Sequence, residues 1–349
     1  MDSAVRRRTV IATLGAGVGV LATPAVLQAQ EIPQMNMRWA HFAPAAWGSC
    51  QADQLFAEEV QRRTNGRVRI QIFWSGSLGN QTEILDLVAS GAVEFGSTAP
   101  SFFPRQFPLN SVINSLPLTM SNGIQAMRAQ QELIETNEAI RNELRRNRVW
   151  PVLLHGLESY RLQCRTPVTT LEDLRGKRVR TFGEWPPALF RQLGATPVNI
   201  PLTEIYEGLQ KGTLDCGYNP YENAGFLRLA EVAPHWSDIN LGAIAAYSTF
   251  VNFENHERRW PRALIAIMRE AQQVAQRFEE GNFARLEQEA IAAARAAGVQ
   301  MHSFRDQARL AETVRPDMLT QWEQANVARL GDDARRLVAD IRRLLAKHS

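Results

Sequence analysis

An α/β protein of two lobes, each a mostly parallel sheet flanked by helices, is the fold the sequence predicts. Three observations predict it. Strands and helices alternate from residue 37 onward, one fifteen-residue unit occurs twice, and the last third reads as long amphipathic helix. Alternating βαβ units place helices on the faces of a parallel sheet.

Residues 37–42 read as the first strand. Over 51–64, Leu55, Phe56 and Val60 fall at helical spacing, and Asn65-Gly66 ends that helix. Residues 67–73 alternate as a strand does, with Val68, Ile70 and Ile72 on one face. A helix over 81–90, stopped by Gly91, and a short strand over 92–96 complete a βαβαβ run.

The unit 82–96 then aligns without gaps on 203–217. Thr82/Thr203, Glu83/Glu204, Ile84/Ile205, Gly91/Gly212 and Gly96/Gly217 are identical, and Glu94/Asp215 keeps its charge. The strands before the two units also correspond, 38–42 against 178–182. Chance likeness between ordinary αβ units is the rival reading; two half-sheets of like design explain more. Ligands of open α/β sheets lie beyond the carboxyl ends of the strands. Segments 42–47, 97–100, 181–185 and 218–222 therefore face one another across a cleft in this reading.

Thr170-x-x-Asp173 starts a short helical turn that Gly176 ends before a strand over 177–181, and 160–165 forms another candidate strand. Past Pro261, Leu264, Ile265, Met268, Ala271, Val274, Ala275 and Phe278 form a helical stripe, with a break expected near Gly281-Asn282. The tail over 316–346 is helical, with Leu330, Leu337, Ile341 and Leu344 inward.

The 349 residues, 45% hydrophobic and 21% charged, suffice for one or two full cores. Arg6-Arg7-Arg8, an apolar stretch over 9–22 and Leu27-Gln28-Ala29 read as a cleavable export signal over 1–29, with a loose twin-arginine string at Arg7-Arg8-Thr9-Val10-Ile11. A membrane anchor is the alternative, but the stretch is short and broken by glycines. Losing three arginines and one aspartate with that segment lowers the net charge from +3 to +1. No persistent basic face for nucleic acid remains. No later run reaches membrane-spanning length, so the mature chain is expected to be soluble. Cys50, Cys164 and Cys216 make an odd count without a CxxC. That speaks against structural zinc and leaves one bridge or three buried thiols open.

Arg180 is the leading candidate for chemistry. It lies inside a lobe strand, where a guanidinium is costly unless paired, and its planar fork matches a carboxylate. Arg161, on the polar face of 160–165, is a second candidate against a plain solvated face. Asn219, after the repeat strand, offers an amide donor and acceptor, or merely an Asn-Pro turn. Trp47 and Trp185 flank equivalent loops, Phe42 opens the first cleft segment, and Ser97 and Thr98 supply hydroxyls near the carboxyl end of their strand. No GxSxG, HExxH, P-loop or GxGxxG before a helix occurs, and the six histidines are scattered. An enzyme is disfavoured.

Leu171-Glu172-Asp173-Leu174-Arg175-Gly176-Lys177-Arg178-Val179-Arg180, then Leu193-Gly194-Ala195-Thr196-Pro197, residues 204–215 and Asn219-Pro220, resemble the DctP-type solute-binding proteins of tripartite ATP-independent periplasmic (TRAP) transporters. Asn65-Gly66-Arg67-Val68 and Gly76-Ser77-Leu78-Gly79 extend the likeness over about 37–320. The resemblance implies a type II periplasmic-binding-protein-like fold with a long helix, supplied after Pro261, spanning both lobes. Lobe I then takes 30–158 and about 246–286, and lobe II takes 159–245 and about 287–349. It also places Arg180 on the carboxylate-clamping arginine, Asn219 on the binding asparagine, Leu202 in the pocket lining and Arg161 on a second binding arginine. Ala99, Tyr218 and Phe73-Trp74 depart from the pattern and point away from sialic acid. A monocarboxylate is implied if Arg161 stands outside the pocket, a dicarboxylate if both arginines reach in. The implied role is capture of a small organic acid in the periplasm, with no cofactor, metal or covalent chemistry, and delivery to TRAP membrane subunits. A ligand-binding protein feeding a sensor, or an enzyme on the same scaffold, are the alternatives.

Overall fold

The computed structural model describes residues 32–348, so the expected export signal lies outside the described residues. Eleven strands form two sheets: β1 (Met35–His41), β2 (Val68–Phe73), β3 (Phe95–Thr98), β4 (Val149–Leu157), β5 (Arg161–Cys164), β6 (Arg178–Thr181), β7 (Thr196–Asn199), β8 (Cys216–Asn219), β9 (His235–Ser237), β10 (Ile244–Asn252) and β11 (Gln300–His302). The first sheet has the order β2-β1-β3-β10-β4 and the second β11-β9-β5-β8-β6-β7. Read from the other end, the second repeats the first: β7, β6, β8, β5 and β9 stand where β2, β1, β3, β10 and β4 do. In each, one strand runs against the rest, β10 beside β3 and β5 beside β8. The chain crosses between lobes after β4 and again after β9.

The helices are α1 (Cys50–Arg63), α2 (Ile84–Ser90), α3 (Gly123–Thr136), α4 (Glu138–Arg146), α5 (Trp185–Gln192), α6 (Ile205–Gln210), α7 (Tyr221–Phe226), α8 (Arg262–Ala296), α9 (Gln307–Thr313), α10 (Met318–Leu330) and α11 (Asp332–Lys347). The repeated unit is α2–β3 in one lobe and α6–β8 in the other. Its acidic position has one job in both. Glu94 accepts the backbone N–H of Arg38 at 2.7 Å, and Asp215 that of Arg178 at 2.8 Å. Each carboxylate thus pins its unit to the neighbouring strand, and pairing proper starts one residue later. Both strands therefore run further than expected, and Ser97, Thr98 and Asn219 lie within them rather than beyond their ends.

Trp39, Phe56 and Phe95 centre one core of lobe I, with Trp39 5.9 Å and 5.5 Å from the other two ring centroids. In lobe II a disulfide joins Cys164 of β5 to Cys216 of β8, leaving Cys50 as a free, buried thiol. Three separate thiols is therefore the reading that fails.

α8 runs for 35 residues without the break expected at Gly281-Asn282, a length of roughly 52 Å at 1.5 Å per residue. It packs on α1 in lobe I and on α7 in lobe II. Packing at both ends outweighs the modest penalty of one helical glycine, about 1 kcal/mol. The tail also departs from its expected place in lobe II. α9 stays there, with Arg309 paired to Glu172, but α11 returns to α3 of lobe I, where Lys347 meets Glu132 at 2.6 Å and Asn137 meets Asp340 at 2.9 Å.

Candidate functional site

Arg180 is the third residue of β6, flanked by β7 and β8. It is only 4% exposed. Its Nε donates to the Ile200 carbonyl at 3.2 Å, and Nη1 to the Tyr218 carbonyl and Asn219 Oδ1, both at 3.4 Å. These are long contacts to neutral acceptors, whereas guanidinium–carboxylate bonds run about 2.7–2.9 Å. Among the described residues no carboxylate pairs with it and Nη2 makes no hydrogen bond. Its guanidinium carbon lies 5.1 Å from the Phe182 ring centroid. Burial pulls its pKa down to about 10, and the Tyr160 and Tyr218 phenols, in place of any carboxylate, offset only part of the fall. Asn219 is fully buried beside it, and its Nδ2 has no partner.

Arg180 borders two adjoining spaces between the lobes. The inner is a cavity of about 50 Å³, lined from lobe I by Phe42, Trp47, Phe102 and Tyr247 and from lobe II by Arg180, Phe182, Leu202 and Asn223. The outer is a chamber of about 880 Å³ with a polar wall that includes Arg105, Glu184, Asn199 and Arg329. Arg180, Phe182, Ser101 and Phe102 belong to both.

Not every expected residue arrives there. Ser97 is tied into the core, its hydroxyl 2.8 Å from Trp39 Nε1 and 2.7 Å from Thr249 Oγ1. Thr98 donates its hydroxyl to the Gln81 carbonyl at 2.7 Å. Both follow from β3 extending through them; Ala99 is the residue that lines the cavity. Trp185 opens α5 and is buried in a hydrophobic core, and it does not line the cavity, whereas Phe182 does. Arg161 is turned away. It donates to the Asp238 carbonyl at 2.7 Å, stands 3.9 Å from Glu287 and covers the Tyr221 ring. Phe42 and Leu202 do line the cavity. Tyr160, Phe102 and Tyr247 were not foreseen from the sequence, because an aromatic residue carries no mark distinguishing lining from core, and Asn223 sits unmarked within α7.

Residues 39–324 match the family model described as bacterial extracellular solute-binding protein, family 7 (DctP). The chain belongs to this family. A TRAP solute-binding protein from Rhodoferax ferrireducens in complex with copurified benzoate superposes with a TM-score of 0.79 at 21% identity, covering 90% of this chain and 98% of that one. One from Roseobacter denitrificans with bound β-D-glucuronate gives 0.75 at 22% identity, covering 88% and 99%. The ectoine-binding periplasmic protein TeaA of Halomonas elongata is 29% identical over 182 residues, 48% of this chain and 49% of its own length. The match thus spans about half of that curated relative.

Behind the lining, this family 7 chain holds a buried polar network. Asp53 of α1 receives His41 Nε2 at 3.1 Å, Tyr247 OH at 2.5 Å, His155 Nε2 at 3.1 Å and Thr249 OH at 3.3 Å. The Ala43 N–H donates to His41 Nδ1 at 3.0 Å, so the proton of that ring sits on Nε2. That tautomer takes Nε2 out of metal ligation, although His41, Cys50 and Asp53 lie close enough together to hold an ion. Burial works against an ionised Asp53, but His155 and His41 hold its pKa well below the carboxylate range. Burial likewise disfavours a charged His155, but Glu279, at 2.9 Å, and Asp53 raise its pKa to about 10.

Proposed function

We propose that this chain, exported on the leader over residues 1–29, captures a small carboxylate anion between its lobes and hands it to the membrane subunits of a TRAP transporter. The observation that carries the reading is Arg180: a buried cation, bordering a cavity between the lobes, with long bonds to carbonyls and no carboxylate of its own among the described residues. An anion entering between the lobes supplies the missing charge and short bonds, and Asn219 Nδ2 adds a donor. Family membership supports the solute-binding role, and the acids held by structural neighbours support the ligand type. With Arg161 directed elsewhere, one carboxylate is recognised rather than two.

A thermal-shift screen tests this. The chain without its leader is denatured and refolded to strip carried ligand, then melted with benzoate, pyruvate, succinate and glucuronate in turn. An acid at 100 times its dissociation constant adds about 2.7 kcal/mol of stability. A shift in the wild type that Arg180→Ala abolishes is expected. No shift with any acid, or one that survives Arg180→Ala, contradicts the proposal.

A further inference from the structure

The inner cavity discriminates among acids. Phe42, Trp47, Phe102, Tyr160, Phe182 and Tyr247 give it six aromatic rings, and Arg180 is its sole charged residue. The rings stand on both sides of the gap. Phe42 packs edge-on to Trp47, Phe102 and Tyr247 at 5.8, 6.0 and 5.5 Å between centroids, all from lobe I. Tyr160 and Phe182, 5.7 Å apart, face them with Arg180. The Tyr247 hydroxyl is already committed to Asp53. At about 50 Å³ the lobes leave room for roughly three to five water-sized groups. A flat body slides between ring-lined walls with little further separation. A hydroxylated sugar ring needs more, and leaves several hydroxyls against ring faces without partners, which is costly in a closed site.

The lining also holds unmatched polar atoms. Trp47 is 4% exposed and its Nε1–H has no acceptor; Asn223 is 2% exposed and its Oδ1 has no donor. A phenolic hydroxyl both accepts and donates, so it matches either atom. From these features, and resting on the carboxylate-capture reading above, we infer that the ligand is a small aromatic monocarboxylate, with its carboxylate on Arg180, its ring between the two sets of aromatic side chains and at most one hydroxyl, directed at Trp47. The outer chamber, with its polar wall, is the path of entry.

Calorimetric titration of the refolded, leader-free chain tests the inference with benzoate, 4-hydroxybenzoate, succinate and glucuronate. Both aromatic acids should bind at least about 100-fold more tightly than succinate or glucuronate, the scale at which unpaired buried polar groups discriminate. Trp47→Phe, which keeps a ring and deletes the N–H, should weaken 4-hydroxybenzoate about tenfold more than it weakens benzoate. Arg329→Ala, in the outer wall, should change neither. Tighter binding of glucuronate or succinate, lost in Arg180→Ala, overturns the aromatic assignment while leaving carboxylate capture standing. A loss of aromatic-acid affinity in Arg329→Ala matching that in Arg180→Ala overturns the inner placement. Binding of none of the four acids overturns both readings.

Discussion

At Arg180 the desolvation of a guanidinium is left unanswered by any carboxylate of the described chain, which is the charge the proposed ligand would supply. Arg161 shows the contrary circumstance: its charge is already met by a carbonyl, an aromatic face and Glu287 at 3.9 Å. Arg161→Ala should therefore leave acid affinity within about threefold of the wild type, since partly exposed ion pairs contribute little; titration calorimetry measures it. A loss comparable to that in Arg180→Ala would place Arg161 in the site after all. From the sequence both arginines fall on strand faces, Arg180 inside a lobe strand and Arg161 on a polar face. Periodicity gives the face of a strand but not what stands across from it, and the loop bearing Asp238 meets Arg161 only through the pairing of β5 with β9. Ser97 and Thr98 depart from expectation for a different reason: β3 ends at Thr98, two residues beyond the expected Gly96, and both hydroxyls bond within the lobe.

Among elements, Asp53 is the common point of α1, β1, β4 and β10, and His155 extends the link to Glu279 on α8. Asp53→Asn takes one of two carboxylates from the buried His155, with Glu279 remaining at 2.9 Å, so it should destabilise the fold by about 1.5–3 kcal/mol, read as a lowered urea midpoint. The pH dependence carries a sign. His155 titrates near 10 in the fold against about 6.5 unfolded. Its stabilisation is thus complete below about 6.5 and drains away as pH rises through 10. Unchanged stability in Asp53→Asn, or an alkaline limb as steep in His155→Gln as in the wild type, would contradict this assignment. The network was invisible in the sequence because its members come from five distant segments. The repeated α2–β3 and α6–β8 units were legible, since helix, glycine stop and acidic pin are all local signals.

For the molecule as a whole, the crossings after β4 and β9, the continuous α8 and the tail's return on α11 join lobes that meet over Arg180. A second contact bears on closure. Glu222 of α7 is seated over Gly48, just ahead of α1, where any side chain would overlap its carboxyl. Burial, then repulsion from Glu279 and Glu158, raises its pKa to about 7. With the lobes apart the carboxyl returns to water and its ordinary value, so closure takes up a proton. Acid affinity should then be greatest near pH 4.5 and fall as pH rises through 7, by up to about tenfold per unit. Titrations in Glu222→Gln should lack that slope; a slope equal to the wild type's would assign it elsewhere.

Capture by closure around Arg180 is tested most directly by small-angle scattering on the refolded chain with the acid that most raises its melting temperature. The radius of gyration of the wild type should contract on adding saturating acid, and that of Arg180→Ala should stay at its ligand-free value under the same conditions. Equal contraction in both, or binding to the wild type without contraction, would contradict the account.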